Sequence, residues 1–489
     1  MSFNLIPPFE KLPAVKLAYN VGCLFDIASG KYLVGKYGEH ILNGGLTQFT
    51  GVVGIANNFK TAVMDFLMLS AMESFPESTA STYDTETNIN EARKQQIAEQ
   101  FEALQGDDNP IVNGRWQLTD NTRYFGNEYY EQVKTFLKGK KAAEKELLRE
   151  TPFLDRDGSF FKAMVPTFSS IDSLTRFETE DVAHMLQTNE LGDSATNTSY
   201  MKQGASKARF IGDLPKLISQ NNNPFLMTAH IGKTIPMDPR AAPVKKLQYL
   251  KNGDTMKGVT DQFMFLTSNT WQCANATPLI NDGTKGPEYP ATPDDDMKGD
   301  TDLNIVTLTL LRNKAGRSGL VMQILVSQEQ GVLPALTEFN YIKTNDRFGL
   351  GGNVQNYYLE FLPDVKLSRT TVRRKLNENK ALRRGMNIAA EMSQMFMLWS
   401  DMEQYACSPK QLYDDLIAQG YDWTILLNTR NKWTFDNDKQ ETPYLSTMDL
   451  LRMRLGLYIP YWMENPPAKA IELYNSKNEK PWKYIAPGK

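Results

Sequence analysis

One stretch constrains this chain more than any other: "GVVGIANNFKTAVMDF", residues 51–66. Val52 and Val53 end an apolar run at Gly54, and Asn57-Asn58 make a polar bend. Lys60-Thr61 then open a segment with apolar Val63, Phe66, Leu67 and Leu69 at helical spacing. "ASTYDTET" (80–87) follows as a short strand ending in acidic residues. Strand, helix, strand is the opening of a parallel α/β sheet. The bend nearly spells Gly-x-x-x-x-Gly-Lys-Thr, with Phe59 where the second glycine belongs. In such a loop, backbone N–H groups close around phosphate oxygens at a helix N-terminus. The lysine reaches the β- and γ-phosphates, and the hydroxyl ligates Mg²⁺. The residues concerned are Gly54, Ile55, Ala56, Asn57, Asn58, Phe59, Lys60 and Thr61. Asn57 and Asn58 tolerate unusual backbone angles better than most residues. The alternative is a turn with an exposed lysine, and the rest of the chain must separate the two.

Further strands are expected at "MVPTFSSID" (164–172), "PFLMTAH" (224–230), "DQFMFLTSN" (261–269), "NIVTLTLLRNK" (304–314) and "GLVMQILVS" (319–327). Residues 91–150 read as mostly helical, broken by the loop "QGDDNPIVNGR". A polar stretch, 187–210, reads as a mobile loop leading into a helix, and 281–302 as a flexible hairpin rich in Gly, Pro and Asp. From about 346 the pattern turns helical, with a long helix near 370–403. The expected division is an N-terminal segment (1–45), an α/β core (46–345) and a mostly helical C-terminal region (346–489).

With 54 basic and 57 acidic residues among 489, whole-chain charge speaks neither for nor against nucleic acid; only local clusters can. Three scattered cysteines form neither a zinc spacing nor a disulfide framework, which suits a reducing compartment. There is no signal-like start and no run of about 18 apolar residues, so a soluble intracellular protein without membrane contact is expected.

A second Mg²⁺ ligand should be a carboxylate at another strand's end. Asp172 has that position, although Pro166, Ser169 and Ser170 interrupt its strand, and an Asp opening a turn would look the same. Asp84 and Glu86 stand two apart, on one side of an extended strand, where a carboxylate could orient water toward a γ-phosphate or simply be solvated. His230 ends an apolar strand, as a site residue or a structural one. "RNKAGR" (312–317) puts cations at a strand's end, or in a hairpin turn.

In this order the pieces resemble the RecA family of recombinases, in particular its tailed-phage branch. "LPAVKLAYN" looks like the segment before that family's core, and "GIANNFKT" is similar to the branch's phosphate loop, Phe before the lysine included. The resemblance covers roughly 10–345 and implies a RecA-like P-loop ATPase core with a mostly parallel central sheet. It implies ATP and Mg²⁺ as cofactors. "TYDTETNI" puts the catalytic glutamate on Glu86, "IDSLTRFETEDVA" the Mg²⁺-side aspartate on Asp172, and "LMTAHIGKT" the γ-phosphate sensor on His230. "RNK" matches paired cations, Arg312 and Lys314, that reach the neighbouring subunit's ATP. The family's linking N-terminal helix has no match here.

A filament recombinase holds single-stranded DNA mainly through phosphates, with cations on loops. The first polar loop offers Lys202, Lys207 and Arg209. The second offers Lys233, Arg240, Lys245, Lys246, Lys251 and Lys257. A solvated basic loop is the plainer alternative. "KLSRTTVRRKLNENKALRRG" (366–385) is either a duplex-DNA gateway or the solvated face of a helix.

The expected protein is therefore an ATP-dependent recombinase that polymerises on single-stranded DNA and pairs it with homologous duplex, as a filament or ring. A single-strand-binding protein and a mediator are its implied partners. It would be cytoplasmic, in the infected bacterial cell if phage-encoded. The alternatives are a hexameric helicase of the same fold, or a DNA-binding protein with a decayed ATP site.

Overall fold

The computed structural model describes residues 12–180, 182–184, 194–233, 247–484 and 486. Its centre is a ten-stranded sheet. In chain order the strands are β1 (Phe49–Gly54), β2 (Thr79–Asp84), β3 (Trp116–Asp120), β4 (Thr167–Asp172), β5 (Phe225–Lys233), β6 (Asp254–Met256), β7 (Asn269–Pro278), β8 (Leu303–Asn313), β9 (Val321–Ser327) and β10 (Gly331–Val332). They lie in the order β10-β9-β8-β7-β1-β5-β4-β2-β3, with β6 paired to β5. From β7 across to β3 every pairing is parallel, and β8, β9 and β10 extend the sheet in antiparallel fashion.

Both faces of the sheet are covered, which is why β1 is buried along its whole length. Val52, Phe168 and Leu226 face a large core shared with α1 (Lys60–Ser74). Val53, Ile171, Phe225 and Met227 face a second core containing residues of α2 (Gly126–Ala142), α3 (Ser194–Asn221) and α4 (Asp261–Leu266). Helix α1 is apolar nearly all round, as a helix sunk in a core must be.

The interrupted look of β4 has a physical resolution. Its hydroxyls pair with those of β2: Thr79 with Thr167 at 3.1 Å, Ser81 with Ser169 at 3.3 Å, and Thr82 with Ser170 at 2.7 Å. The polar side chains are satisfied by each other, so the strand stays buried without being apolar.

Three expectations need correction. "DQFMFL" is helix α4, and the strand begins only at Asn269; so short an apolar run fits either structure. Within the supposedly helical 91–150 lies edge strand β3, and Leu148–Leu154 begins a hairpin with Phe160–Met164. The 281–302 segment does join two antiparallel strands, but it is pinned. Tyr289 is buried and donates to Asn340 at 3.1 Å, Lys343 bridges to Glu288 at 3.2 Å, and Arg369 pairs with Asp296.

Helix α5 (Pro334–Thr344) closes the expected core. Against expectation, the region after it opens with a small three-stranded antiparallel sheet of Leu350–Gly351, Tyr357–Leu359 and Leu362–Leu367. The region is then mainly helical, including α6 (Lys380–Leu398), with Val372–Glu378 a separate helix and Asn379 capping α6. Residues from this region enter the α1-side core. Trp433 is fully buried, stacks on Tyr19 at 5.5 Å and meets Phe75 and Phe153 edge-on at 4.9 and 5.2 Å. Most cations of 366–385 are spent on this chain's own groups: Arg373 on Gln330 and Asp302, Arg374 on Glu378, Lys380 and Arg383 on Glu102, and Arg384 on Asn387. No helix among the described residues is long and apolar enough to cross a membrane.

Candidate active site

Parallel pairing brings the C-terminal ends of the strands to one edge. There Gly54 lies beside both Cys273 and His230, and Asp172 beside Asp84, itself beside Asp120. Such an edge is where ligands bind in open α/β sheets.

The loop after β1 is shaped by close approach. A Cβ on Gly54 would stand 2.8 Å from the Cys273 carbonyl oxygen. Asn58 is buried and donates to that carbonyl at 3.0 Å, tying the loop to β7. Asn57 and Phe59 both take the left-handed conformation, φ 59 and 58. Phe59 thus does with a side chain what glycine does freely, and its half-buried ring packs on the α1-side core. Ile55, Ala56 and Asn57 are exposed.

Lys60 begins α1, largely buried, and its Nζ donates to the Ile55 carbonyl at 2.8 Å, inside the loop it would serve. Burial lowers its pKa, while Asp172 and Glu86 pull the other way. Thr61 Oγ1 donates to Asp172 Oδ2 at 2.6 Å, and Thr228 Oγ1 to Asp172 Oδ1 at 2.5 Å. A hydroxyl and a carboxylate side by side are the oxygen donors that Mg²⁺ takes when it also holds a phosphate.

Glu86 lies just past β2, a third exposed. Its Oε1 meets His230 Nε2 at 3.0 Å and accepts from Ser173 Oγ at 3.0 Å. Burial works to raise this carboxyl, but those two bonds and the charges of His230 and Arg176 outweigh it and hold the pKa below its ordinary value. Asp84 has another task. Buried, it accepts from the backbone N–H of Glu86, Asn88 and Ile89, so it shapes the turn carrying Glu86. A polar cavity of about 330 Å³ opens beside Glu86, with Asn88, Asn121 and Arg176 in its wall.

No family model matches the chain, and no curated protein does. Among solved structures it is similar to the RadB recombinase, at 13% identity and a TM-score of 0.33, over 59% of this chain and 92% of that one. It is the sheet order and the side-chain geometry that bear on function.

The structure brings together Lys60, Thr61, Asp172, Glu86 and His230. Arg312 and Lys314 are not with them. Arg312 pairs with Thr270, which also pairs with Gly51, so it stands three residues, about 10 Å, short of Gly54 toward the opposite edge. It donates to the Thr267 and Phe265 carbonyls and Lys314 to that of Leu266, and burial with Arg312 and Lys16 nearby lowers the Lys314 pKa. Neither bonds to the loop after β1.

Of the DNA candidates, Arg240, Lys245 and Lys246 lie outside the described residues. Lys202 and Arg209 are exposed on α3, Lys257 is exposed after β6, and Lys233 pairs with Asp254. Lys207 needs correction as a surface cation: it is buried and donates to the Thr175 and Gly258 carbonyls at 3.0 and 2.9 Å. Sequence reasoning passed over Ser173 and Thr228. The Ser directly after Asp172 was a signal for the first; nothing marked the second.

Proposed function

We propose that this chain is a RecA-family, ATP-dependent recombinase that polymerises on single-stranded DNA and carries out homologous pairing and strand exchange. One observation supports this above all. The loop threonine is bonded to Asp172, a strand (β5) lies between the loop strand and the carboxylate strand, and Glu86 stands at the next strand end. That is an arrangement for phosphoryl transfer to water. Lys60 would turn from the Ile55 carbonyl to the β- and γ-phosphates. Thr61 and Asp172 would hold Mg²⁺, which supplies charge neutralisation at the phosphoryl oxygens. Glu86 would orient the attacking water, and His230, bonded to Glu86, would sense the γ-phosphate.

The finer reading, kinship with the tailed-phage recombinase UvsX, rests on the Phe59-Lys60 loop. Arg312 and Lys314, remote from their own loop, are assigned to the neighbouring subunit's ATP. Lys202, Arg209, Lys233, Arg240, Lys245, Lys246 and Lys257 are assigned to DNA phosphates. Electron microscopy with single-stranded DNA and a slowly hydrolysed ATP analogue tests the proposal. Helical filaments are expected. Closed rings would favour a helicase, and bare DNA would overturn assembly on DNA.

A further inference from the structure

The Leu174–Arg176 turn, immediately after Asp172 and Ser173, is held by the active site on one side and by α3 on the other. On the active-site side, Ser173 bonds Glu86, and Thr175 Oγ1 accepts from the His230 backbone N–H at 3.0 Å. On the α3 side, Gln203 donates to the Phe177 carbonyl at 3.2 Å, and Phe210 stacks on Phe177 at 5.0 Å. Lys207, one helical turn after Gln203, ties the two sides together through the Thr175 and Gly258 carbonyls. Gly258, at φ +64, comes soon after β6 and packs so close that a Cβ there would stand 2.7 Å from the Thr175 oxygen.

We propose that Lys207 is a positioning residue for ATP hydrolysis, transmitting the placement of α3 through the Thr175 carbonyl to Ser173 and His230 around Glu86. This rests on the function proposed above. A buried ammonium with two backbone acceptors behaves as a clamp, because losing either bond strands a polar group in a dry site. Helix α3 also carries exposed Lys202 and Arg209, so a load on its surface reaches the hydrolytic carboxylate through rigid contacts rather than through a flexible loop. Burial lowers the Lys207 pKa to about 8, in keeping with an ammonium withdrawn from solvent.

The test uses the full-length chain with single-stranded DNA and ATP. Lys207→Met keeps the stem and removes the donors. Its kcat should fall about 10- to 100-fold, as for a reacting group displaced by a fraction of an ångström, with KM little changed. Lys207→Arg should recover part of the loss. In a Glu86→Gln background, Lys207→Met should cost nothing further, because it acts through Glu86. The salt slope of DNA binding should match the native one. A slope smaller by about one unit would instead make Lys207 a phosphate contact and overturn the proposal. If Lys207→Met does not fold, Gly258→Ala, which pushes on the same carbonyl, carries the same expectations. Native kcat in whichever variant folds would overturn this inference alone. No ATP hydrolysis by the native protein would overturn the functional reading and this inference with it.

Discussion

Glu86 and His230, 144 residues apart in the chain, meet with 3.0 Å between carboxylate and ring nitrogen. Their strands, β2 and β5, are not neighbours; β4 lies between them. The contact therefore crosses the end of β4, where Ser173 adds its own bond to the same Glu86 oxygen. His230 does not end its strand as expected, since β5 runs on to Lys233. Yet groups from β5 and from just past β2 and β4 meet at one carboxylate, whose charge state depends on donors that mutation can remove.

Glu86 is held ionised below its ordinary pKa by His230 and Ser173, against burial. A base with a depressed pKa stays competent to lower pH and is lost as pH falls through that value. Ser173→Ala removes one donor, so the Glu86 pKa should rise and the acid limb of kcat should move to higher pH. Profiles of the native and variant ATPase check this, and an unmoved limb would assign that limb to another group.

Lys60→Ala should abolish ATP binding, because no other cation stands in the loop. Glu86→Gln should bind ATP and DNA and lose about 100-fold or more in hydrolysis, as removal of a general base does. Titration with a fluorescent ATP analogue and steady-state ATPase rates separate the two. Native hydrolysis by Glu86→Gln would make the assignment of Glu86 wrong.

Replacing Lys245 and Lys246 with alanine should weaken DNA binding alike for all sequences. The salt dependence should become shallower by up to about one unit of slope for every phosphate no longer neutralised. Binding titrations at several salt concentrations measure it. An unchanged slope would remove the segment after His230 from the DNA interface.

Lys314 donates to the Leu266 carbonyl and not to the loop after β1, so the role in hydrolysis proposed for it is one on a neighbour's ATP. Lys314→Ala and Glu86→Gln should each be nearly inactive. Mixed on single-stranded DNA, they should regain part of the activity. Where ATP on a Lys314→Ala subunit is capped by a Glu86→Gln neighbour, that interface holds an intact glutamate and an intact lysine. Co-assembly without recovery would exclude action in trans.

Trp433→Ala should cost about 3–5 kcal/mol, the usual loss for emptying a fully buried aromatic site. Tyr19, Phe75 and Phe153 all pack on this ring, so the N-terminal segment, α1 and the hairpin should loosen together. Denaturant unfolding should show a lower midpoint for tryptophan fluorescence and far-ultraviolet circular dichroism alike. A transition confined to the C-terminal region would mean that it unfolds independently.

Much of this was legible in the chain. Strand β1, the loop and α1 succeed one another in sequence, and their periodicities of two and 3.6 are local properties. Their positions near strand ends made Asp172, Glu86 and His230 candidates beside plainer readings, and the order of motifs resembling the RecA family gave each its expected role. Strand β3 and helix α4 were misread because a five- or six-residue segment takes its structure from what it packs against. Lys207 was misplaced for a related reason. A lysine in a polar stretch looks solvated until the fold brings two carbonyls, from residues 32 and 51 positions away, to its ammonium. The sequence by itself determined the chemistry available: a cation and a hydroxyl at a helix start, and carboxylates at strand ends. Only the tertiary structure decided which strand ends are neighbours, because sheet order arises from long-range pairing that no local pattern encodes. That order set Thr61 against Asp172 and Glu86 against His230, and carried Arg312 to the far edge.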